Sequence, residues 1–167
     1  MNYFDMAMFD VDENLQKRLG YSRIYSSGKD FIIQETPKHS SARIIIRTRD
    51  QNNLIRFMKD GAVCGIIFEN FELSKKTIEQ AALSRKTIFI PISPLLWHSV
   101  WDRQREMQKI KKIVIAAHKL KAKVAIATFA ENKESLLSRE QLSEISKMII
   151  QTKNSKFSIF GGDIYDN

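Results

Sequence analysis

Between Thr87 and Ile150 the chain twice passes from a short apolar run into a long amphipathic segment. TIFIPISPLLW leads into HSVWDRQREMQKIKKIVIAAHKLKAK, and VAIATF leads through a polar loop into SREQLSEISKMII. Apolar runs of four to six residues, rich in Ile and Val and lacking polar alternation, are strands buried on both faces. Strands of that kind joined through helices must be parallel, with right-handed crossovers. Two consecutive strand–helix units are the repeat of a parallel α/β barrel or a doubly wound sheet.

The same alternation extends upstream. Strands are predicted over Tyr3–Phe9, Tyr21–Ser26, Ala42–Arg47, Val63–Phe68, Thr87–Ile90, Val124–Thr128 and Phe157–Phe160, and Phe31–Gln34 reads as an extra strand or an irregular insert. Helices are predicted over Val11–Leu19 with Asp10 or Asp12 as cap, Gln51–Lys59 capped by Asp50, Ser74–Ser84 capped by Ser74, Asp102–Lys121 and Ser138–Gln151. Pro91 has no N–H to donate, so pairing is expected to stop or bulge there. About seven strands ringed by helices form a compact α/β, TIM-barrel-like parallel sheet. A closed barrel of eight units usually takes ~250 residues, so 167 residues leave room for minimal loops, an atypical unit or an open sheet. With no internal repeat, low-complexity tract or linker, residues 1–167 read as one domain.

Lys and Arg number 27 against 19 Asp and Glu, a net charge of +8. That sign favours polyanionic partners, nucleic acid first. The single cysteine, Cys64, lies inside AVCGIIF and reads as a small buried hydrophobe in a reducing compartment. The opening MNYFDMAMFD carries two Asp and no basic segment, which argues against a secretory signal. No apolar stretch approaches the ~20 residues that span a bilayer. These features together read as a cytoplasmic chain with no membrane partner.

In α/β barrels the working residues sit at the C-terminal ends of the strands. That rule selects Arg47 and Arg49 after ARIII, Glu69 and Asn70 after GIIF, Ser93, Trp97, His98, Trp101, Arg103 and Arg105 after TIFI, Thr128, Phe129, Glu131, Asn132 and Lys133 after VAIA, and Gly161, Gly162 and Asp163 after FSIF. Arginines take phosphates bidentately, and Trp and His stack on splayed bases. The competing assignment for Trp97 and Trp101, four residues apart, packs a helix start onto the rim. On the long helix Ile110, Ile113, Val114, Ala117 and Leu120 share the core face, and Arg105, Lys109, Lys112 and Lys119 share the opposite side. That stripe is roughly 20 Å long, enough to follow several phosphates. The RNA-binding candidates are therefore Arg47, Arg49, Trp97, His98, Arg103, Arg105, Lys109 and Lys112.

Catalytic patterns are sparse. His39, His98 and His118 are far apart, with no H-x-H or H-x-x-x-H, so neither a metal site nor a catalytic residue is assigned. Asp5, Asp10 and Asp12 could hold Mg2+, but helix caps and solvated charges account for Asp10 and Asp12 more simply. Gly161-Gly162 could let backbone N–H groups approach a phosphate.

Three stretches resemble the archaeal ribonuclease P protein component 3. The opening YFDMAMF with GYSRIY is similar to the family's start. ISPLLW followed by Arg103, Arg105 and an Ile-rich helix resembles its R-P-L-L segment and helix. HKLKAKVAIATFAENKESLLSREQLSEISKMI resembles its K-Y-K strand, small-polar loop and L-R-S-P-R-D-L helix start. Ser93 stands where the family commonly has Arg, Leu137 where it often has Arg, and Glu140-Gln141 where it has R-D. The resemblance implies a TIM-barrel-like fold and a non-catalytic subunit of a ribonucleoprotein that removes 5′ leaders from precursor tRNA. It implies that the RNA subunit does the chemistry with Mg2+, that the chain itself binds no cofactor, and that it pairs directly with another small protein subunit. The alternatives are a metal-dependent phosphoesterase of related fold, which needs more His and Asp ligands, and a barrel binding an anionic metabolite through Gly161-Gly162 and an arginine rim.

Overall fold

The computed structural model of the chain describes residues 4–38 and 42–150. The predicted strand Phe157–Phe160 and the residues His39, Gly161, Gly162 and Asp163 lie outside them. Seven strands are present among the described residues: β1 (Phe4–Ala7), β2 (Arg23–Ser26), β3 (Phe31–Gln34), β4 (Arg43–Thr48), β5 (Val63–Phe68), β6 (Thr87–Pro91) and β7 (Lys123–Ala127). The helices are α1 (Glu13–Arg18), α2 (Gln51–Phe57), α3 (Lys75–Leu83), α4 (Ser93–Leu96), α5 (Val100–Lys119) and α6 (Arg139–Ile150), with a 3-10 turn at Lys133–Ser135. All ladders are parallel. β3 to β7 form a five-stranded sheet in chain order, and β1 and β2 form a second sheet of two. Phe31–Gln34 is thus a strand at the edge of the larger sheet.

The sheets are interrupted for a covalent reason. A parallel crossover takes a dozen or more residues, and only Ser27–Asp30 separates β2 from β3. These two strands meet at a single bridge, Ser27 to Phe31, and Gly28 enters the left-handed region to make the turn. On the other side, β1 reaches the segment after β7 through one bridge, Ala7 to Ala130, with Met8 N–H donating to Ala130 O at 2.8 Å.

Strand alternation sorts the apolar runs into two cores. Met6, Tyr25, Phe31, Ile45, Ile67, Phe89 and Ala125, one from each of the seven strands, share a cluster that contains no helical residue. Their neighbours Ile44, Ile46, Ile66, Ile88, Ile90 and Ile126 face outward onto Leu54, Ile78, Ile110, Ile113 and Leu142 of the helices. Both faces are buried, which is why the strands read as continuous apolar runs. Gly65 is required in the inner layer. A Cβ there would lie 2.3 Å from Phe89 Cε2 and 2.6 Å from the Thr87 carbonyl oxygen.

The caps set the helix starts. Asp12, Asp50 and Ser74 cap α1, α2 and α3, as their position before each helix predicts. α5 starts two residues earlier than expected, because Ser99 accepts from Asp102 N–H and donates its hydroxyl to the Asp102 carboxylate. Its buried face is Ile110, Ile113, Val114 and Ala117, with Leu120 half-buried against the same core. Pro91 is the last residue of β6 and pairs with Ala127, so the strand stops at the proline as expected. Ile92 N–H donates to Ala127, so an N–H at Pro91 would point toward β5, whose ladder has already stopped at Ile66–Ile88. The proline therefore loses no bond.

Asp5 is the buried polar residue that holds the junction of β1 with β7. Its carboxylate accepts from Thr128 N–H at 2.7 Å, Met6 N–H at 2.8 Å and the Thr128 hydroxyl at 2.5 Å. Thr128 is thus the first residue after β7. Tyr21 packs nearby and donates its hydroxyl to Leu137 O at 3.1 Å. Burial and the Asp5 charge push the Tyr21 phenol upward.

Candidate nucleic-acid interface

The C-terminal ends of the strands carry the predicted rim residues, but their charges are already spent on one another. Arg47 at the end of β4 and Arg49 just beyond it grip opposite oxygens of Glu69, the first residue after β5: Arg47 Nε lies 3.1 Å from Oε1 and Arg49 Nε 2.5 Å from Oε2. The Arg49 hydrogen bond, with the charge of Arg47 behind it, holds the Glu69 carboxyl below the usual range. Lys109 on α5 contacts Glu72 at 2.8 Å and Glu106 at 3.2 Å, and reaches the Asn70 carbonyl at 3.5 Å. Hydrogen bonding to Glu72 raises the Lys109 pKa and lowers that of Glu72. These groups and His98 line a cleft of about 480 Å3. Three cations there (Arg47, Arg49, Lys109) face three carboxylates (Glu69, Glu72, Glu106), so the cleft is close to neutral. Sequence reasoning selected the cations and named Glu69 on the rim, but could not see that two strand ends bring it between two guanidiniums.

Arg103 serves the fold. Its guanidinium donates to the carbonyls of Leu95, Leu96 and His98 at 3.0, 3.2 and 3.2 Å. The Leu95 and Leu96 carbonyls are left open at the end of the four-residue helix α4 and that of His98 lies in the link to α5, so Arg103 ties α4 to the first turn of α5. Arg105 bonds Asp102 at 3.2 Å and lies 3.8 Å from Glu106. Lys112 is exposed and has no ion pair among the described residues.

The tryptophans do not anchor the helix start to the rim. Trp97 is 74% and Trp101 82% exposed, with Val100 at 76% between them. Lys109 of α5 reaches Asn70 and Glu72, and α5 is held by its buried Ile and Val face. Trp97 still borders a second cleft, about 240 Å3, over the ends of the strands, with Met8, Ile33, Ile67, Pro91 and Phe129. Its floor is the aromatic cap of the inner core, where Phe129 stands edge-on to Phe31 and Phe89 at 6.1 and 5.7 Å. Phe129 takes a left-handed backbone conformation to do so.

No group of three or more His, Cys, Asp or Glu side chains among the described residues is placed to hold a metal ion. No helix among them is long and apolar enough to cross a membrane.

The arrangement is similar to a known one. A chain in the cryo-EM structure of archaeal ribonuclease P with mature tRNA superposes with a TM-score of 0.61, covering 88% of this chain and 82% of that one at 16% identity. The two share a fold. No family model and no curated protein matches the sequence.

Proposed function

We propose that this chain is a protein subunit of ribonuclease P, of the component 3 kind, and that it supports the catalytic RNA in removing 5′ leaders from precursor tRNA. The observation that carries this reading is the fold shared over 88% of the chain with a chain of an archaeal ribonuclease P. The resemblance of the opening strand, ISPLLW and the HKLKAK–SKMI stretch leads to the same place by a separate route. A net charge of +8 suits work on RNA.

In this reading residues 1–167 form one TIM-barrel-like domain in which the seven strands make a single ring. The shared inner cluster and the bridges Ala7–Ala130 and Ser27–Phe31 support that closure. Mg2+ and the chemistry belong to the RNA, the chain acts in the cytoplasm, and another small protein subunit pairs with it directly. On the rim, Trp97 and His98 offer exposed faces to unpaired bases and Lys112 an unpaired charge to the backbone. Arg47, Arg49, Arg105 and Lys109 can bind phosphates only by exchanging them for carboxylates already in place. Arg103 contributes by positioning Trp97, since it holds the carbonyls on either side of that residue.

The test is reconstitution of precursor-tRNA cleavage from ribonuclease P RNA, the other small protein subunits and Mg2+, with and without this chain. Cleavage that rises with the chain and vanishes without RNA is the expected result. An unchanged cleavage rate in a mixture that is otherwise active would overturn the assignment.

A further inference from the structure

A second group of cations lies at the other end of the strands. β4, β5, β6 and β7 are consecutive neighbours in the large sheet. Their N-terminal ends surround a cavity of about 380 Å3 lined by Arg43, Arg85, Lys86 and Lys123, with Cys64 and Thr87 in its wall. Arg43 and Lys123 open β4 and β7, while Arg85 and Lys86 lead from the end of α3 into β6. In-register pairing of Thr87 with Lys123 and with Gly65 fixes the spacing across three of these strands. Four cations line this cavity and no carboxylate does, the reverse of the balanced cleft on the rim.

Each feature of the wall suits an anion. Arg85 and Lys123 are exposed and have no ion pair among the described residues. Lys86 is half-buried and donates to the Asp60 carbonyl at 2.9 Å. Partial burial lowers its pKa, as expected for a cation whose hydration is reduced and not fully replaced. Burial pushes the Cys64 thiol up to about 11, so the wall carries no thiolate to repel an anion. A ligand oxygen would give Arg85 and Lys123 a partner and would return to Lys86 part of the hydration that burial removes. The rival explanation is that Arg85 and Lys86 only offset the negative end of the α3 dipole. It does not account for Arg43 and Lys123, which start strands.

We infer that this cavity is a phosphate-binding site, on the face opposite the rim and independent of the ribonuclease P assignment. A phosphodiester of an RNA backbone and a free phosphate group present the same oxygens to it, and the wide, four-cation wall suits the backbone of an RNA.

The variant R85N/K123Q tests it. Arg85 sits at a backbone φ of 54°, a conformation that Asn tolerates better than other non-glycine residues, so the pair keeps the fold while removing two charges. K17Q/K147Q, which removes two charges from exposed faces of α1 and α6, is the matched control. Binding of a labelled RNA hairpin is measured by fluorescence anisotropy across salt concentrations, and inorganic phosphate by shifts in the amide signals of residues 84–87. Removing two phosphate contacts is expected to flatten the slope of log K against log salt by about 1.5, which is roughly 30-fold in affinity across one decade of salt. The control should change neither. If phosphate shifts the wild-type amides and not those of R85N/K123Q, while RNA affinity follows the control, the site stands and takes small phosphates. If both variants bind RNA alike and phosphate moves no signal, the proposal is overturned. The same holds if R85N/K123Q loses thermal stability and nothing else, since the cations would then serve the dipole alone.

Discussion

Asp5→Asn should make the chain more stable at neutral pH, and the gain should grow as pH rises. Asp5 is buried at the junction of β1 and β7, and its pKa is raised to about 6 from 3.8 in a free chain. Burial is the dominant cause, and the bonds from Thr128 and Met6 only partly offset it. A folded pKa above the unfolded one means that the folded state prefers the protonated acid. The contribution of Asp5 is therefore complete below about pH 4, declines as pH rises through about 6, and is absent above that. A shift of about two pKa units at ~1.4 kcal/mol each makes the decline roughly 3 kcal/mol. Asparagine has nearly the same shape. Its Oδ1 keeps the Thr128 and Met6 N–H donors, and its Nδ2 faces the Thr128 hydroxyl, which can turn to accept. Urea unfolding followed by far-UV circular dichroism, from pH 4 to 7.5, gives the stability of both proteins. The difference between them isolates Asp5, because Glu69, Glu72 and Glu140, whose pKa values are lowered, titrate alike in both. Asp5→Asn minus wild type should rise by up to ~3 kcal/mol between pH 4 and pH 7. A flat or falling difference would refute the argument that Asp5 is ionised at a cost. Asp5→Ala, which strands two N–H donors and a hydroxyl, is expected to lose about 2–5 kcal/mol even at pH 4.

Gly65→Ala places a methyl 2.3 Å from the Phe89 ring and 2.6 Å from a backbone carbonyl; the carbonyl cannot retreat without breaking the β5–β6 ladder, and a loss of about 3 kcal/mol or more in urea unfolding is expected. Glu69→Gln releases Arg47 and Arg49 from their shared carboxylate; under the rim assignment, RNA affinity should tighten several-fold and the salt slope steepen by about 1.5, read by anisotropy. Unchanged affinity there would show that the rim does not meet RNA.

The strand–helix order was legible because each residue carries its own share of it. Ile-rich runs buried on both faces, Asp or Ser before a helix, and the 3.6-residue period of Ile110, Ile113, Val114 and Ala117 are local properties. Pro91 was legible as the end of β6, and its missing N–H costs no bond because the β5–β6 ladder has already stopped at Ile66–Ile88. Trp97 and Trp101 misled, since a spacing of four does not show that one helix carries both: Trp97 ends α4, Trp101 lies in α5, and neither ring is covered. The rim was legible as positions but not as charges. Glu69 is twenty or more residues from the arginines it neutralises, and only the β4–β5 register brings them together. The cavity at the opposite end had no sequence signal, because Arg43, Arg85-Lys86 and Lys123 are spread over eighty residues.

The sequence alone determined the parallel α/β class, the helix caps and the basic balance of the chain, since these follow from local pattern and from counting. The tertiary structure decided where that charge is balanced. Carboxylates follow the strands at the rim and cancel its arginines, whereas the cavity at the strand starts is lined by four cations and no carboxylate, and an electric field depends on distance in space rather than on order along the chain.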